Sequence, residues 1–461
     1  MITVLNAHGL TQGQIAGLTG LTQGRLSEWA GRKRKPQAVT TFQSFADGLG
    51  MPTAARQALG LGPAESRAPV MSPSPSHAVP DLDVGLKYPG TPATATGNVS
   101  TLWAADVSDP EVLDRGVITP AAWNEASLRW LTAPVGGAVG GGLQGGVQIG
   151  MGDVDRFRAT VEMFRELDDR FGGGHARDAL IQYLRGDAAR LLRGRYPETV
   201  GSALLSAVAE ATLLAAWMTY DSTPLSPQAQ RYFIQALGLA QAGGNRLLGA
   251  SILDAMSHQA TYTGRFAEAA NLARAGRAGT TGIATASMTA HFHAMEARAL
   301  ARLGDATGCD RALAAAVTEH ERRRPEDDPG WFQYFDEAEL SAELGHCLRD
   351  LGRAGDAAQY AGRSVGLENG KFVRSDFFAT MVLADSYLAA GEAEQACDVA
   401  LAALSAGEQI RSGRCVNYLR EFRGHLVRAE GSAAVRDFSE QAAGFRLWRI
   451  AARPGNASAV G

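Results

Sequence analysis

Four turns with similar sequences recur in the C-terminal half of the chain, and they constrain its fold more than any other feature. Each turn follows a stretch whose apolar residues recur at three- and four-residue spacing, which is the period of an α-helix, and each precedes another such stretch. The glycines that open the turns are Gly264, Gly304, Gly352 and Gly391. Their separation of about 40 residues indicates helical hairpins that repeat along the chain.

The repeat predicts an all-α array of stacked hairpins over residues 153–450. A small residue five positions beyond each turn glycine lets the second helix pack closely on the first; these residues are Ala269, Cys309, Ala357 and Ala396. One hairpin cannot bury its apolar face alone, so neighbours stack into a continuous core with a concave surface. The pattern resembles tetratricopeptide (TPR) repeats, and the predicted fold of this region is therefore a TPR-like α-solenoid.

A different helical pattern occupies the N-terminus. Thr11 and Thr22 are suited to cap two short helices, and Gly20 can adopt the left-handed conformation that the turn between them needs. Ile15 and Leu26 are expected to face the core. This spacing predicts a helix-turn-helix domain.

The N-terminal motif resembles the Cro/repressor-like (XRE) helix-turn-helix family, and the array resembles the repeats of actinobacterial regulators that carry such a domain. The stretches that carry the likeness are residues 10–12, 26–29 and 33–36 at the N-terminus and 164–177, 230–233, 256–259 and 334–339 in the array. The resemblance implies a transcriptional regulator whose repeats sense a ligand or partner. We predict in addition that the array controls dimerisation, because a head of about 60 residues is too small to form a lasting interface by itself. Duplex DNA is the expected partner, and a homodimer is the expected assembly.

The start of the second helix supplies the candidate DNA contacts. A recognition helix reads bases through its N-terminal residues, where Gln suits adenine and Arg suits guanine. The basic run that follows can neutralise phosphates on the flank. The predicted DNA-binding residues are Gln12, Gln23, Arg25, Ser27, Arg32, Lys33, Arg34 and Lys35.

Charge is distributed in keeping with this assignment. The chain has a net charge of −4, but residues 1–63 contain six basic and two acidic residues, so the remainder is more acidic than the whole. A basic head on an acidic body directs a polyanionic partner to the head. Only nine residues precede Leu10, so the first helix is expected to be short. The alternative is a TPR-like protein-interaction scaffold whose head does not bind DNA.

Composition divides the chain between head and array. Residues 63–100 are rich in Pro, Ser, Ala, Thr and Gly and predict a flexible linker, because such a composition cannot bury enough surface to fold. Residues 101–132 contain three tryptophans and can form a segment that docks on the array. The predicted organisation is a helix-turn-helix domain at 1–62, a Pro- and Gly-rich linker at 63–152, the repeat domain at 153–450 and a flexible tail at 451–461.

The concave face of the array is where a peptide, small-molecule or protein partner is expected. First helices of the repeats line that face, as the TPR resemblance implies. The candidates on these helices are His258, Gln259, Tyr262, Tyr334, Glu337 and Glu339. Core packing or hydrogen bonds within a repeat explain the same residues equally well.

No arrangement of nucleophile, base and orienting group emerges, so the sequence predicts neither an enzyme nor a cofactor. His291 and His293 point apart on a helix and cannot readily share a metal ion, and none is expected. Asp168 and Asp169 are interpreted as a solvated helix end.

The sequence shows no recognisable targeting signal, so we expect a cytoplasmic protein. The N-terminus lacks a basic region followed by an apolar one, and no uncharged apolar stretch reaches the roughly 18 residues of a membrane span. The four cysteines form no C-x-x-C pair and are expected to be free thiols.

Overall fold

The computed structural model describes residues 11–19, 21–30, 46, 83–134, 147–367, 372–429 and 431–453, and these residues are almost wholly α-helical. Within them the only β-pairing is one isolated bridge, between Gln148 and Arg195. The chain divides into two compact units, Met1–Val79 and Pro80–Gly461. The predicted basic run at residues 32–35 lies outside the described residues.

In the N-terminal unit the structure describes two eight-residue helices, α1 (Gln12–Thr19) and α2 (Gln23–Ala30). The side chains of Ile15 and Leu26 are fully buried, as the sequence predicts. The hydroxyl of Thr19 donates to the carbonyl of Ile15 at 2.7 Å and satisfies the end of α1.

The second unit begins with three helices, α3 (Pro92–Ser108), α4 (Pro110–Asp114) and α5 (Pro120–Thr132). Each starts with proline, whose fixed φ suits the first helical turn and whose missing N–H is not needed there. Residues 92–100, assigned to the linker by their composition, are therefore helical. The docking segment packs on the array through Trp130, which is fully buried beneath the guanidinium of Arg246 at 3.6 Å.

Glutamine side chains of the array hold the backbone of this N-terminal segment. The amide of Gln230 accepts from the N–H of Thr119 at 2.9 Å and donates to its carbonyl at 2.8 Å. The amide of Gln235 donates to the carbonyls of Gly85 and Lys87 at 2.7 and 3.0 Å. Loop backbone that lacks a helical partner is thereby satisfied by side chains.

Helices α6 (Met151–Phe171), α7 (Arg177–Tyr183) and α8 (Ala189–Leu192), with a π-turn at Leu184–Ala188, lead into the array. Six hairpins follow in the described chain. Their first helices are α9 (Glu198–Ser222), α11 (Arg246–Tyr262), α13 (Ala286–Leu303), α15 (Glu337–Asp350), α17 (Val373–Ala389) and α19 (Gly413–Leu426). Their second helices are α10 (Gln228–Ala242), α12 (Phe266–Gly279), α14 (Ala306–Glu321), α16 (Ala354–Leu367), α18 (Ala393–Ala406) and α20 (Ala433–Ala442), and α21 (Arg446–Ala451) follows.

The four turn glycines connect the two helices of a hairpin, as predicted. Gly264, Gly304, Gly352 and Gly391 have φ values of 78°, 76°, 75° and 86°. These left-handed conformations favour glycine, which ends one helix and reverses the chain within two or three residues. The all-α hairpin array is therefore confirmed.

The first helices form the inner layer of the array, and that layer closes on itself. The hydroxyl of Ser412, which caps α19, donates to the carboxylate of Asp221 at the end of α9 at 2.8 Å. The backbone of Arg411 donates to Phe171 at 2.7 Å and accepts from Gly174 at 2.9 Å. The six inner helices thus form a ring in which the sixth contacts the first.

The first inner helix, α9, is long and apolar enough to cross a membrane, but most of its apolar window is buried inside the array. The same composition is typical of a core helix, and α9 packs as one here.

Candidate functional site

Polar side chains recur along the ring-facing side of the inner helices at helical spacing. Helix α11 carries Asp254, His258 and Tyr262, and helix α15 carries Glu339, Glu343 and His346. Residues three, four, seven or eight positions apart lie on one face of a helix. The centre of the ring is therefore polar where a simple solenoid core would be apolar.

One end of the ring is filled by an aromatic network. The hydroxyl of Tyr220 lies 3.0 Å from Nδ1 of His258, and the guanidinium of Arg414 lies 4.9 Å from the ring centre of Tyr220 and 4.4 Å from that of Phe378. Burial, followed by the charge of Arg414, holds the pKa of His258 well below its ordinary value. His258 is therefore a neutral hydrogen-bonding partner of Tyr220.

The same network ties the sixth inner helix to the others. The amide of Asn417 donates to the hydroxyl of Tyr262, and the ring of Tyr418 lies 4.9 Å from Phe378 and 5.8 Å from His346. Tyr262 is thus held by a hydrogen bond across the ring. These contacts make this end of the ring a structural plug.

The predicted residues Tyr334 and Glu339 lie instead at a recess with Asp254 and His291; these four residues are called the acidic recess. Nδ1 of His291 is paired with Oδ2 of Asp254. Burial opposes the charged imidazolium, but the carboxylate of Asp254 outweighs it and raises the pKa of His291. The buried ring of Phe335 packs edge-on against His291 at 4.6 Å.

The aromatic wall of the acidic recess comes from an insertion between α14 and α15, at residues 322–336. This insertion explains why the turn glycines Gly304 and Gly352 are further apart than the others. Asp328 anchors it by accepting hydrogen bonds from the hydroxyls of Thr285 and Ser287 at 2.5 and 2.6 Å. The anchored loop places the ring of Tyr334 5.9 Å from that of His291.

The side chains of Tyr334 and Glu339 are accessible in this recess. Enclosure within the ring raises the pKa of the Tyr334 hydroxyl, and the charges of Asp254 and Glu339 raise it further. Yet 40% of Tyr334 is exposed, so part of its side chain is accessible to solvent instead of being packed in the core. Glu339 is half-buried there, and burial followed by the charge of Glu343 raises its pKa to about 7.

Two of the predicted ligand residues lie elsewhere. Gln259 is fully buried in the array, and neither atom of its amide has a partner among the described residues. Glu337 forms an ion pair with Arg363 on the outer helix α16. Neither is placed to line the acidic recess.

Sequence reasoning missed Asp254, which belongs to the acidic recess, and Glu343, whose charge acts on Glu339. Asp254 and Glu343 lie one helical turn from His258 and Glu339, which were chosen. Arg298 donates to both oxygens of Glu343 at 3.2 and 3.0 Å, and both side chains are nearly buried. The sequence signal that could have identified them is a charged residue in the middle of an otherwise apolar helix. Such a residue is expected to be buried with a partner, because buried charges are costly unless they are paired.

His291 and His293 do diverge, as expected from their spacing. Nδ1 of His293 lies 2.7 Å from the guanidinium of Arg277 on the outer helix α12, whereas His291 faces the recess. Across the described ranges, no group of three or more His, Cys, Asp or Glu side chains is arranged to hold a metal ion. All four cysteines are buried, and none is in a disulfide.

An open cleft of about 320 Å³ lies outside the ring, between α4 and α7. The guanidinium of Arg177 in this cleft donates to Asp106, to Thr219 at 2.8 Å and to Gln228 at 3.0 Å. The N–H groups of Arg177 therefore already bond to neighbouring residues and hold helices together. For this reason the acidic recess is the better candidate for a ligand site.

Three of the candidate DNA-binding residues lie on α2. Gln23, Arg25 and Ser27 are exposed, whereas Leu26 between them is buried. Gln12 begins α1, and Arg32, Lys33, Arg34 and Lys35 fall outside the described residues. The two helices are joined by three residues.

Comparisons of the chain with protein-family descriptions, curated proteins and solved structures found no match. Assignment of a role therefore rests on the residues and their geometry.

Proposed function

We propose that this protein is a cytoplasmic DNA-binding transcriptional regulator, without enzymatic activity, whose helical ring senses a ligand or partner and controls dimerisation. The observation that carries the proposal is the exposed face of α2. Gln23, Arg25 and Ser27 are free of the core because Leu26 packs inward. Side chains of these types at the start of a second helix suit base edges in the major groove.

The resemblance to Cro/repressor-like regulators with TPR-like repeats supports the same role. The basic run at residues 32–35 supplies phosphate contacts in this proposal. The ring supplies the sensing element, because its centre holds accessible polar groups at the acidic recess. A dimer suits a helix-turn-helix protein, because paired half-sites lie about 34 Å apart on DNA.

The test starts from the full-length protein and fragmented genomic DNA. Fragments that it retains are sequenced to define a site, and variants are then titrated on that site in gel shifts. Arg25→Ala is expected to cost about 1–3 kcal/mol and to relax specificity at one position. Lys33→Ala is expected to weaken all sequences alike and to lower the salt slope by about one.

Arg115→Ala is the matched control, since it removes an exposed arginine from the other compact unit. It should bind DNA as the wild type does. If no fragment is retained, or if Arg25→Ala and Lys33→Ala bind as the control does, the proposal is overturned in favour of an interaction scaffold. Light scattering of the full chain on its site reports the dimer.

A further inference from the structure

We propose that the acidic recess is a binding site for a small organic cation, an amine with an apolar body, which places its ammonium group at Glu339 and its body against the ring of Tyr334. The inference rests on the proposed sensing role of the ring, and it assigns the chemistry of what is sensed.

The first argument is the charge of the recess. Asp254 and His291 form a pair, and Glu343 and Arg298 form a second. Glu339 remains, and no cationic side chain bonds to it within the described part of the chain. A carboxylate enclosed without a counter-charge is costly, and a bound cation would satisfy it.

The second argument is an unmet acceptor on Asp254, another residue of the acidic recess. Asp254 is 2% exposed, and its Oδ1 atom has no hydrogen-bond partner among the described residues. Buried polar atoms nearly always have partners in folded proteins. An ammonium group has three donors and no acceptor, so it suits a recess whose carboxylates are short of donors.

The third argument is the aromatic wall. Tyr334 is 40% exposed, and its ring lies 5.2 Å from that of Phe332 and 5.9 Å from that of His291. The faces of aromatic rings attract cations and pack against apolar groups. An exposed ring next to an uncompensated carboxylate therefore favours an amphipathic amine over a metal ion or a sugar.

Nearby cations do not supply the missing charge. The charge of Arg165 in α6 lowers the pKa of Tyr334 and of Glu210. Its guanidinium is already paired with the carboxylate of Glu162 at 3.3 Å. Asp336 caps α15 by accepting from backbone N–H groups, so it adds a further negative charge near Glu339.

Closure of the ring sets the size of the ligand. An open superhelix can pass an extended peptide along its groove. Here Ser412 bonds to Asp221 and Asn417 bonds to Tyr262, so the inner layer is closed by contacts of its sixth helix with the first and second. A closed layer offers no continuous groove for an extended chain, which favours a small molecule.

The test uses the full-length protein and two matched probes, benzylamine and benzyl alcohol, and it requires no DNA. Binding is measured by isothermal titration at pH 7 and by ligand-observed NMR. Benzylamine is expected to bind at least about tenfold more tightly than the alcohol, which is the ratio expected for hydrogen bonds to a charged group. Glu339 is partly protonated at this pH, so binding of the ammonium group should release up to about half a proton from its carboxyl group. Repeating the titration in buffers of different ionisation enthalpy measures this release.

Glu339→Gln is expected to abolish both the preference for the amine and the proton release, and Tyr334→Leu to weaken both probes. Glu337→Gln removes the same charge two residues away, where it pairs with Arg363, and should behave as the wild type. Thermal unfolding verifies that each variant is folded.

Equal affinity for the two probes, an equal loss in Glu337→Gln, or no binding of benzylamine would overturn the inference. A protein that binds benzylamine but retains no DNA would leave the inference standing and remove the proposed regulator. A protein that retains DNA but does not bind benzylamine would leave the proposed regulator standing and overturn the inference.

Discussion

The guanidinium of Arg374 donates two hydrogen bonds to the carboxylate of Asp168, at 2.9 and 3.0 Å, and joins helix α6 to the fifth inner helix, α17. It also lies 3.4 Å from the carboxylate of Asp221. Burial would lower the pKa of Arg374, but the two carboxylates outweigh burial and raise it. The interpretation of Asp168 as a solvated helix end is therefore wrong, because its side chain is buried at the closure of the ring.

Loss of this ion pair should destabilise the array strongly. Arg374→Ala leaves two buried carboxylates without their cation, and such a loss costs about 3–5 kcal/mol in free energy of unfolding. Urea titration followed by circular dichroism measures it. Arg156→Ala, which breaks the exposed pair with Asp153, should cost less than about 1 kcal/mol. Similar losses in the two variants would contradict the role of Arg374.

Close backbone approach at Gly173 should make this position intolerant of any side chain. A Cβ atom there would lie 2.4 Å from the carbonyl oxygen of Met218 in α9, which cannot move aside as a flexible side chain would. Gly173→Ala is expected to lower the free energy of unfolding by about 1–3 kcal/mol. Gly97→Ala in α3, where nothing lies within 4 Å, should be neutral or slightly stabilising. The comparison is made by urea titration, and an unchanged midpoint for Gly173→Ala would argue against the close approach.

The stability of the protein should depend on pH through Glu339. Its pKa rises from 4.5 when unfolded to about 7 when folded, because of burial and the charge of Glu343, with Asp336 adding to the rise and His291 and Arg298 opposing it. The folded state binds the proton more tightly, so this contribution is fully present below pH 4.5 and is lost as pH rises towards 7.

Glu339→Gln should therefore gain stability relative to the wild type as pH rises from 5 to 8, by up to about 3 kcal/mol. Denaturant unfolding at several pH values measures the difference in free energy of unfolding between the variant and the wild type. Other titrating groups contribute almost equally to both proteins, so their effects largely cancel in this difference. Glu337→Gln should show no such trend, and a flat difference for Glu339→Gln would show that its carboxyl titrates normally.

Loss of the Trp130 side chain should detach the docking segment, residues 83–134, from the array. Trp130 lies beneath Arg246 and against Gly249 and Gly279, where a Cβ would meet its ring at 2.3 Å. Trp130→Ala should cost about 3–5 kcal/mol and expose residues 83–134 to protease. Limited proteolysis with mass spectrometry detects the new cuts. Leu128→Ala, which removes an exposed side chain, should leave the cleavage pattern unchanged.

The local part of this fold could be predicted from the sequence. The turn glycines marked their hairpins because a left-handed turn leaves a residue signature, and the longer interval before Gly352 contained the insertion that carries Tyr334. Residues 92–100 could not be recognised by composition, because Thr91 and Pro92 start a helix whose Val99 is buried only once the array exists.

The closure of the ring had no local signal at all. Arg374 lies 206 positions from Asp168, and neither residue differs in its immediate context from a surface charge. Tyr334 and Glu339 were predicted as ligand residues on first helices, but only Glu339 lies on one, because Tyr334 belongs to the loop that precedes α15. Asp254 and His291 escaped because their roles depend on a partner from another hairpin.

The hydrogen bond between Ser412 and Asp221 also limits how such a chain can evolve. An open solenoid lengthens or shortens by whole repeats, because each unit contacts only its neighbours. A seventh hairpin inserted here would separate the sixth inner helix from the first, and deletion of one would leave a gap that the remaining five could not span. Duplication of a hairpin within this array would therefore break the closing contact, whereas single substitutions and changes in loops such as the one that carries Tyr334 leave it in place.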